Sequence, residues 1–312
     1  LKKGIILTLV LAVVAFTSVG MWGDIIGAGP ALKGFSWYLI PVIAMFGFGN
    51  DLIKFLRWHI YLAKMGIDIP MGKNLMIFLS GLSMSATPGK VGFLIKSQML
   101  KSITNRRIIA TSPVIMAELY MDLICLAMIS LLGIGLFSKG IWVALILCVL
   151  PAICLIPQVA DILIKILSKL PVFSGRTHDL KDALDNMFRL FGPKVVIMSF
   201  IITLIAWISE GVALMLIIKG LGLEMGIIKA TSIFGFSTLI GVLSMLPGGL
   251  IVTDASLMGL IVHAGIPATP AALAAIMARV FTLWLAVLIG SICLVRNRSY
   301  VYGYIKGNYS GG

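Results

Sequence analysis

Charge is scarce in this chain, and acid is scarcer than base. Only 12% of the residues are Asp, Glu, Lys or Arg, with 12 acidic against 25 basic. A soluble domain carries about a quarter of its residues as charge, so this composition does not build an ordinary water-facing surface. Histidines number 3 and cysteines 4, with no HExxH, no His–carboxylate cluster and no CxxC spacing. Those absences exclude the common zinc frameworks and a disulfide scaffold. They leave Cys125, Cys148, Cys154 and Cys293 as small buried residues in apolar segments. No GxxxxGK[ST] loop is present, which excludes a phosphate-loop nucleotide site. The net charge of +13 invites a nucleic-acid reading. The basic residues are instead dispersed between apolar runs, with no basic–aromatic stripe, so no nucleic-acid partner is expected.

Hydrophobicity is what the chain has, at 60% of 312 residues. About twenty apolar residues cross the hydrocarbon core. On that criterion the spans lie near 5–22, 37–61, 108–137, 141–158, 194–219 and 270–295. The opening "LKKGIILTLVLAVVAF" has the look of a secretory leader, but no small-residue cleavage site follows, and it reads as a retained span. Two further apolar stretches, 72–104 and 227–264, are interrupted by Pro-Gly turns. Each arm is short for a crossing, so both read as hairpins that enter the membrane and return. The expected fold is an all-α polytopic membrane protein of about six full spans and two re-entrant helical hairpins, in the cell membrane. Lys and Arg concentrate in 62–73, 96–107, 160–194 and 296–312, which places the N- and C-termini inside. The stretch 160–192 is amphipathic and basic and reads as a surface-lying link between two halves.

The halves repeat. "SMSATPGKVG" at 83–92 matches "SMLPGGLI" at 244–251, and "KMGIDI" at 64–69 matches "KGLGLE" at 219–224. "TSPVIMAELYMDLICL" at 111–126 matches "TPAALAAIMARVFTLWL" at 269–285, aligning Glu118 with Arg279. The charge bias holds only if both interrupted segments re-enter and do not cross, and that topology runs the halves in opposite directions, an inverted repeat of the kind that secondary transporters use. One transmembrane domain results: a first span and loop over 1–36, repeat 1 over 37–137, a linking span and amphipathic segment over 138–193, repeat 2 over 194–296, and a tail over 297–312.

Charged residues deep in a membrane pair, face water, or do both. In the first hairpin Thr87 is placed as an N-cap and Pro88 as the first helical residue. That aims a positive helix end at the membrane interior, beside Lys90 and the hydroxyls of Ser83 and Ser85, as in an anion pocket. The alternative is a turn whose Lys90 reaches back to the interface. Asp254 lies two turns into the returning arm of the second hairpin, placed either for a proton, cation or headgroup or in outer water. Glu118 and Asp122 share a helix face near the midplane, at a depth similar to Arg279, and a Glu118–Arg279 bridge between the halves is expected. Glu210 lines the pathway or pairs. Asn50, Asp51, Lys54 and Arg57 are expected toward the cytoplasmic end of their span, with Arg57-Trp58 as an interfacial anchor.

"RW" at 57–58, "TPGKVG" at 87–92, the Glu118…Asp122 pair, "LPGGLIVTDASLMGLI" at 246–261 and Arg279 together resemble the flippase-like transmembrane family that includes the membrane domain of lysylphosphatidylglycerol synthases. The family typically reads Pro-Gly-Gly-x-Gly-x-x-Glu-Ala-Ser in the second hairpin. Here Ile251 replaces a glycine and Asp254 the glutamate. Phe93 and Leu119 stand where many members carry Glu and Arg. The resemblance implies movement of lipids or polyprenyl-phosphate-linked glycolipids between leaflets. Lys90, Arg279 and Lys96 would meet phosphate, and Glu118, Asp122 and Asp254 would gate or carry protons. An ion-coupled carrier of a small anionic solute is the alternative, and a lipid-headgroup enzyme a third. No nucleophile–base constellation is visible, so neither catalysis nor a cofactor is expected. The partners expected are membrane lipids or lipid-linked sugars, with a homo-oligomer open.

Overall fold

The computed structural model describes residues 29–133 apart from 31 and 105, residue 162, and residues 177–297. The spans expected at 5–22 and 141–158 lie outside the described residues, as do most of the link and the tail. Among the described residues the regular elements are helical. They are α1 (Ile40–Lys64, entered through a 3-10 turn at Trp37–Leu39), α2 (Met71–Leu82), α3 (Leu94–Thr104) and α4 (Ile108–Gly133). After the link come α5 (Thr177–Leu190), α6 (Pro193–Gly220), α7 (Ile227–Leu243), α8 (Val252–His263), α9 (Ala268–Arg279) and α10 (Leu285–Arg296).

Four described helices are long and apolar enough to cross a membrane: Trp37–Lys64, Ile108–Leu131, Pro193–Gly220 and Ala268–Arg296. The last runs through α9 and α10, joined by a π-helical turn at Val280–Trp284 directly after Arg279. At 12 residues, α2 reaches only about 18 Å at 1.5 Å per residue, well short of a hydrocarbon core of about 30 Å. Both Pro-Gly stretches are therefore broken helices: α2 and α3 flank a 3-10 turn at Pro88–Phe93, and α7 and α8 flank one at Pro247–Gly249.

Each half has the order long helix, short arm, Pro-Gly turn, short arm, long helix. Sequence dictates the joints alike. At the end of α1, Gly66 takes a positive φ of 64° and the Ile67 N–H returns to the Leu62 carbonyl at 2.9 Å. At the end of α6, Gly222 (φ 77°) and the Leu223 N–H to the Ile218 carbonyl at 3.1 Å repeat it. This is the glycine-terminated helix end, which satisfies the last carbonyls.

Packing crosses between halves. α1 lies against α6, α2 against α10, and α7 against α4. Glycines permit the approach: a Cβ on Gly290 of α10 would stand 2.3 Å from the Ser83 backbone nitrogen, and one on Gly47 of α1 would stand 2.5 Å from the Phe281 carbonyl oxygen. The amphipathic link is not only surface-lying, because α5 packs on α4 and Asn186 donates to the Ala110 carbonyl at 3.2 Å. Met45, Leu52 and Leu56 of α1 and Ile197, Ile201 and Ile205 of α6 point outward and exposed, as lipid-facing stripes do.

Two apolar clusters result. One joins Ile43 to Leu126, Leu214, Phe234 and Leu257; the other joins Phe55, Trp58, Ile77, Leu100 and Ala286. Between them α1 carries Asn50, Asp51, Lys54 and Arg57, so this group sits mid-helix and not at the cytoplasmic end the sequence led us to expect. Trp58 is fully buried and Arg57 only 1% exposed, which overturns the interfacial-anchor reading of that pair.

Candidate functional site

The polar layer encloses a cavity of about 120 Å³ where the two hairpin tips meet the middle of α1, α4 and α6. Its wall includes Lys54, Arg57, Lys90, Lys96 and Arg279 as cations, and Asp51, Glu118, Asp122 and Glu210 as acids. Ser85, Thr87, Trp207 and Thr238 add polar groups, and Phe78, Phe93 and Phe234 supply apolar wall. The tips touch: a Cβ on Gly248 would lie 3.3 Å from the Ala86 Cα.

The first tip is built differently from expectation. Gly89 and Lys90 both adopt left-handed backbone (φ 56° and 55°), and the α-helix starts at Leu94 and not at Pro88. The left-handed pair turns the chain back before a helix can propagate. Thr87 therefore caps the turn: its hydroxyl donates to the Met84 carbonyl at 2.7 Å and accepts from the Gly92 N–H at 3.0 Å. The Ser83 hydroxyl is spent on the Ser80 carbonyl at 2.7 Å. Lys90 faces the cavity, with its Nζ 3.9 Å from Asp122 Oδ2.

The second tip ends in a tight three-residue turn, in which the Val252 N–H reaches the Leu250 carbonyl at 2.8 Å across Ile251. α8 then begins, so Asp254 falls in its first turn and not two turns along. Its Oδ2 accepts the Ile251 N–H at 3.1 Å, capping the helix start. Its Oδ1 lies 3.0 Å from Arg279 Nε. Arg279 Nη2 also donates to the Gly248 carbonyl at 2.5 Å. One guanidinium thus holds both the tip and the returning arm of its hairpin.

The expected Glu118–Arg279 bridge is absent. Glu118 pairs with Lys96 Nζ at 2.5 Å, and that ammonium is also ringed by Trp58, Phe93 and Phe78 at 4.4, 4.9 and 5.1 Å from their centroids. Both partners are buried. The aligned positions are nonetheless equivalent: in each half the returning hairpin arm ion-pairs with its own following long helix. The polarity is exchanged, with Lys96 to Glu118 in the first half and Asp254 to Arg279 in the second.

Asp122 pairs with Arg57 Nη1 at 2.9 Å, and the same nitrogen lies 2.6 Å from the Thr203 hydroxyl. Asn50 donates its amide N–H to Glu210 across the α1–α6 seam. Lys54 places its ammonium 3.7 Å from the Trp207 ring centroid. Of the residues expected from sequence, Lys90, Thr87, Ser85, Lys96, Glu118, Asp122, Glu210 and Arg279 line the cavity, and Asp254 stands behind Arg279. The α1 group was assigned to the wrong depth, and Trp207 and Thr238 were missed. The spacing 50, 51, 54, 57 puts that group on one helix face, and a polar face inside an apolar span was the available signal. Among the described residues no group of His, Cys, Asp and Glu is arranged to hold a metal ion.

This arrangement combines a charged chamber at the middle of the long apolar helices, broken-helix tips and ion pairs that, among the described residues lining it, are each confined to one half. Comparison with known proteins finds membrane proteins. The model of the lysylphosphatidylglycerol synthase TM region matches residues 4–290. Two similar relatives, both called UPF0104 membrane protein, come from Methanothermobacter thermautotrophicus. One is 33% identical over 93 residues, which is 30% of this chain and 28% of the relative. The other is 25% identical over 108 residues, 35% of this chain and 31% of the relative. The aligned segments thus span less than a third of those relatives.

Proposed function

The chain belongs to the family of the lysylphosphatidylglycerol synthase TM region, and on that premise we propose that it moves a phosphate-bearing lipid, a phospholipid or a polyprenyl-phosphate-linked glycolipid, between the leaflets of the cell membrane. The observation that carries the proposal is the cavity lined by Lys54, Lys90 and Arg279 at the middle of the long apolar helices, where the two hairpin tips meet. Cations there meet phosphate with little competition from water, while the acyl or prenyl tails stay in the lipid. About 120 Å³ holds the polar end of a headgroup and not a whole lipid.

The repeated element order and the reciprocal packing of α2 on α10 and α7 on α4 support an inverted repeat, with each hairpin entering from its own side. Phosphate arriving at Arg279 competes with Asp254 and the Gly248 carbonyl, and so frees the second hairpin. Phosphate at Lys90 and Lys96 does the same to the first. No aminoacyl transfer is assigned to this segment.

Proteoliposome reconstitution tests the proposal. Labelled phospholipid or polyprenyl phosphate should change leaflet faster than in empty vesicles, and Arg279→Ala should abolish the acceleration. Equal rates with and without protein, under every ion gradient, refute it. The modest cavity volume favours a second reading, a carrier of a small anion. Uptake of labelled inorganic phosphate without lipid movement would select that one.

A further inference from the structure

The cavity region brings together the acids Asp51, Glu118, Asp122, Glu210 and Asp254, and they fall into two kinds. Glu118, Asp122 and Asp254 each have a cation within 3.0 Å. Asp51 makes no hydrogen bond or ion pair among the described residues, and Glu210 receives only the Asn50 amide. The charges that bear on both are Lys54 of α1, Lys90 of the first tip and Asp122 of α4. Lys96 of α3 bears further on Asp51, Asp51 itself on Glu210, and Glu210 in turn on Arg279 of α9. Lys54 lies one turn after Asp51 on α1, yet its ammonium is placed over the Trp207 ring, and among the described residues it forms an ion pair with neither acid. An acid locked to a guanidinium keeps its charge. One that faces a cavity with no cation in contact can take a proton and return it.

A second observation concerns Asn50, which is 1% exposed and whose Oδ1 has no partner. A primary amide that donates N–H to a carboxylate can turn and accept O–H from the acid through that oxygen. Asn50 is thus equipped to serve Glu210 in either protonation state, as a positioning residue.

We infer that Asp51 and Glu210 are a proton-carrying pair on the cavity wall, and that lipid movement is coupled to them, a coupling that rests on the proposed lipid function. Each uptake forms one O–H bond on a carboxylate oxygen, takes the proton from hydronium in the cavity and leaves neutral water. No electrons move. Protonating the pair removes negative charge beside Lys54 and Lys90, which are then available to phosphate. The headgroup and the proton therefore load together.

Infrared difference spectroscopy of the full chain in lipid, between mildly alkaline and mildly acidic pH, reads the pair without any lipid substrate. Acidification should raise a carboxylic-acid carbonyl band that falls by about half in Asp51→Asn and in Glu210→Gln but persists in Asp254→Asn. Absence of the band in the unmodified protein, or its survival in both variants, overturns the pair. In proteoliposomes a pH gradient should then bias labelled lipid between leaflets by up to about tenfold per pH unit for one coupled proton. Lipid movement indifferent to the gradient overturns the coupling. The band without any lipid movement upholds the proton pair and removes the lipid reading instead.

Discussion

Ile251 holds a backbone conformation that its side chain disfavours, and replacing it with glycine should stabilise the protein. Its φ of 70° and ψ of −55° place a β-branched residue at the centre of a three-residue turn closed by the Val252 N–H on the Leu250 carbonyl at 2.8 Å. Such turns are rare and strained, and a residue with a Cβ at positive φ costs about 1–3 kcal/mol relative to glycine. Glycine gives back about 0.5–1 kcal/mol through its freer unfolded chain. The Ile251 side chain is 57% exposed, so little packing is forfeited. The net expectation is a gain of about 1 kcal/mol, or a few degrees in thermal midpoint. The assay is thermal unfolding in one detergent of the parent, Ile251→Gly and Ile251→Ala. Alanine removes the same exposed side chain but keeps the Cβ, so it should gain little. Equal gains for alanine and glycine, or a loss with glycine, would refute the strain argument.

Arg57→Gln should destabilise by about 3–5 kcal/mol, because it leaves Asp122 buried with only Lys90 at 3.9 Å; chemical unfolding of the single and the Arg57→Gln/Asp122→Asn double variant checks this, the double being the less damaged. Glu118→Arg should unfold or trap the first hairpin by setting a guanidinium against Lys96. Adding Lys96→Asp should restore most of the lost stability by copying the polarity of the second half, and a double variant no better than the single would sink the equivalence of the two pairs. Gly47→Ala should cost about 1–3 kcal/mol, since the added methyl carbon meets the Phe281 carbonyl oxygen at 2.5 Å across the π-helical turn; unchanged thermal stability would show that α1 can move aside.

Length and punctuation made much of the fold legible. The runs at 37–61, 194–219 and 270–295 came within a few residues of the long helices, because apolar length and terminal Pro or Gly are local properties. The two interrupted segments were readable for the same reason. What failed was depth and pairing. Arg57-Trp58 has the composition of an interfacial anchor, and only tertiary packing shows that it is enclosed, Arg57 by Asp122 of α4 and Thr203 of α6, and Trp58 by Asn74 and Phe78 of α2 and Lys96 of α3. Glu118 and Arg279 were aligned correctly as equivalent positions, but equivalence under a pseudo-two-fold does not make two residues neighbours. Each follows its own hairpin, and the nearest opposite charge is on that hairpin's returning arm. The half-helix starts were misplaced because the backbone at Lys90 and at Ile251 has positive φ, and a non-glycine residue carries no local mark of that conformation. The resemblance did carry the mark, since the family places glycine where this chain has Ile251.

The exchanged polarity of the two hairpin pairs bears on how a charged headgroup could pass. Had both long helices carried the acid, both returning arms would carry the base, and an anion would find the same trap at each end. Here a phosphate entering the first half must displace Glu118 from an ammonium on the arm, whereas in the second half it displaces the arm's Asp254 from a guanidinium on the spanning helix. Under the proposed function the anion is therefore held by a mobile arm in one half and by a fixed helix in the other. Because Arg279 also grips the Gly248 carbonyl, losing Asp254 weakens two restraints on the second tip together, while Lys96 remains caged by Trp58, Phe78 and Phe93 after losing Glu118. The second hairpin should then open first. Site-directed labels on Leu246 and Ala86 would show this as tip separation dominated by movement of Leu246 when phosphate-bearing lipid is added, and larger movement of Ala86 would reverse the order.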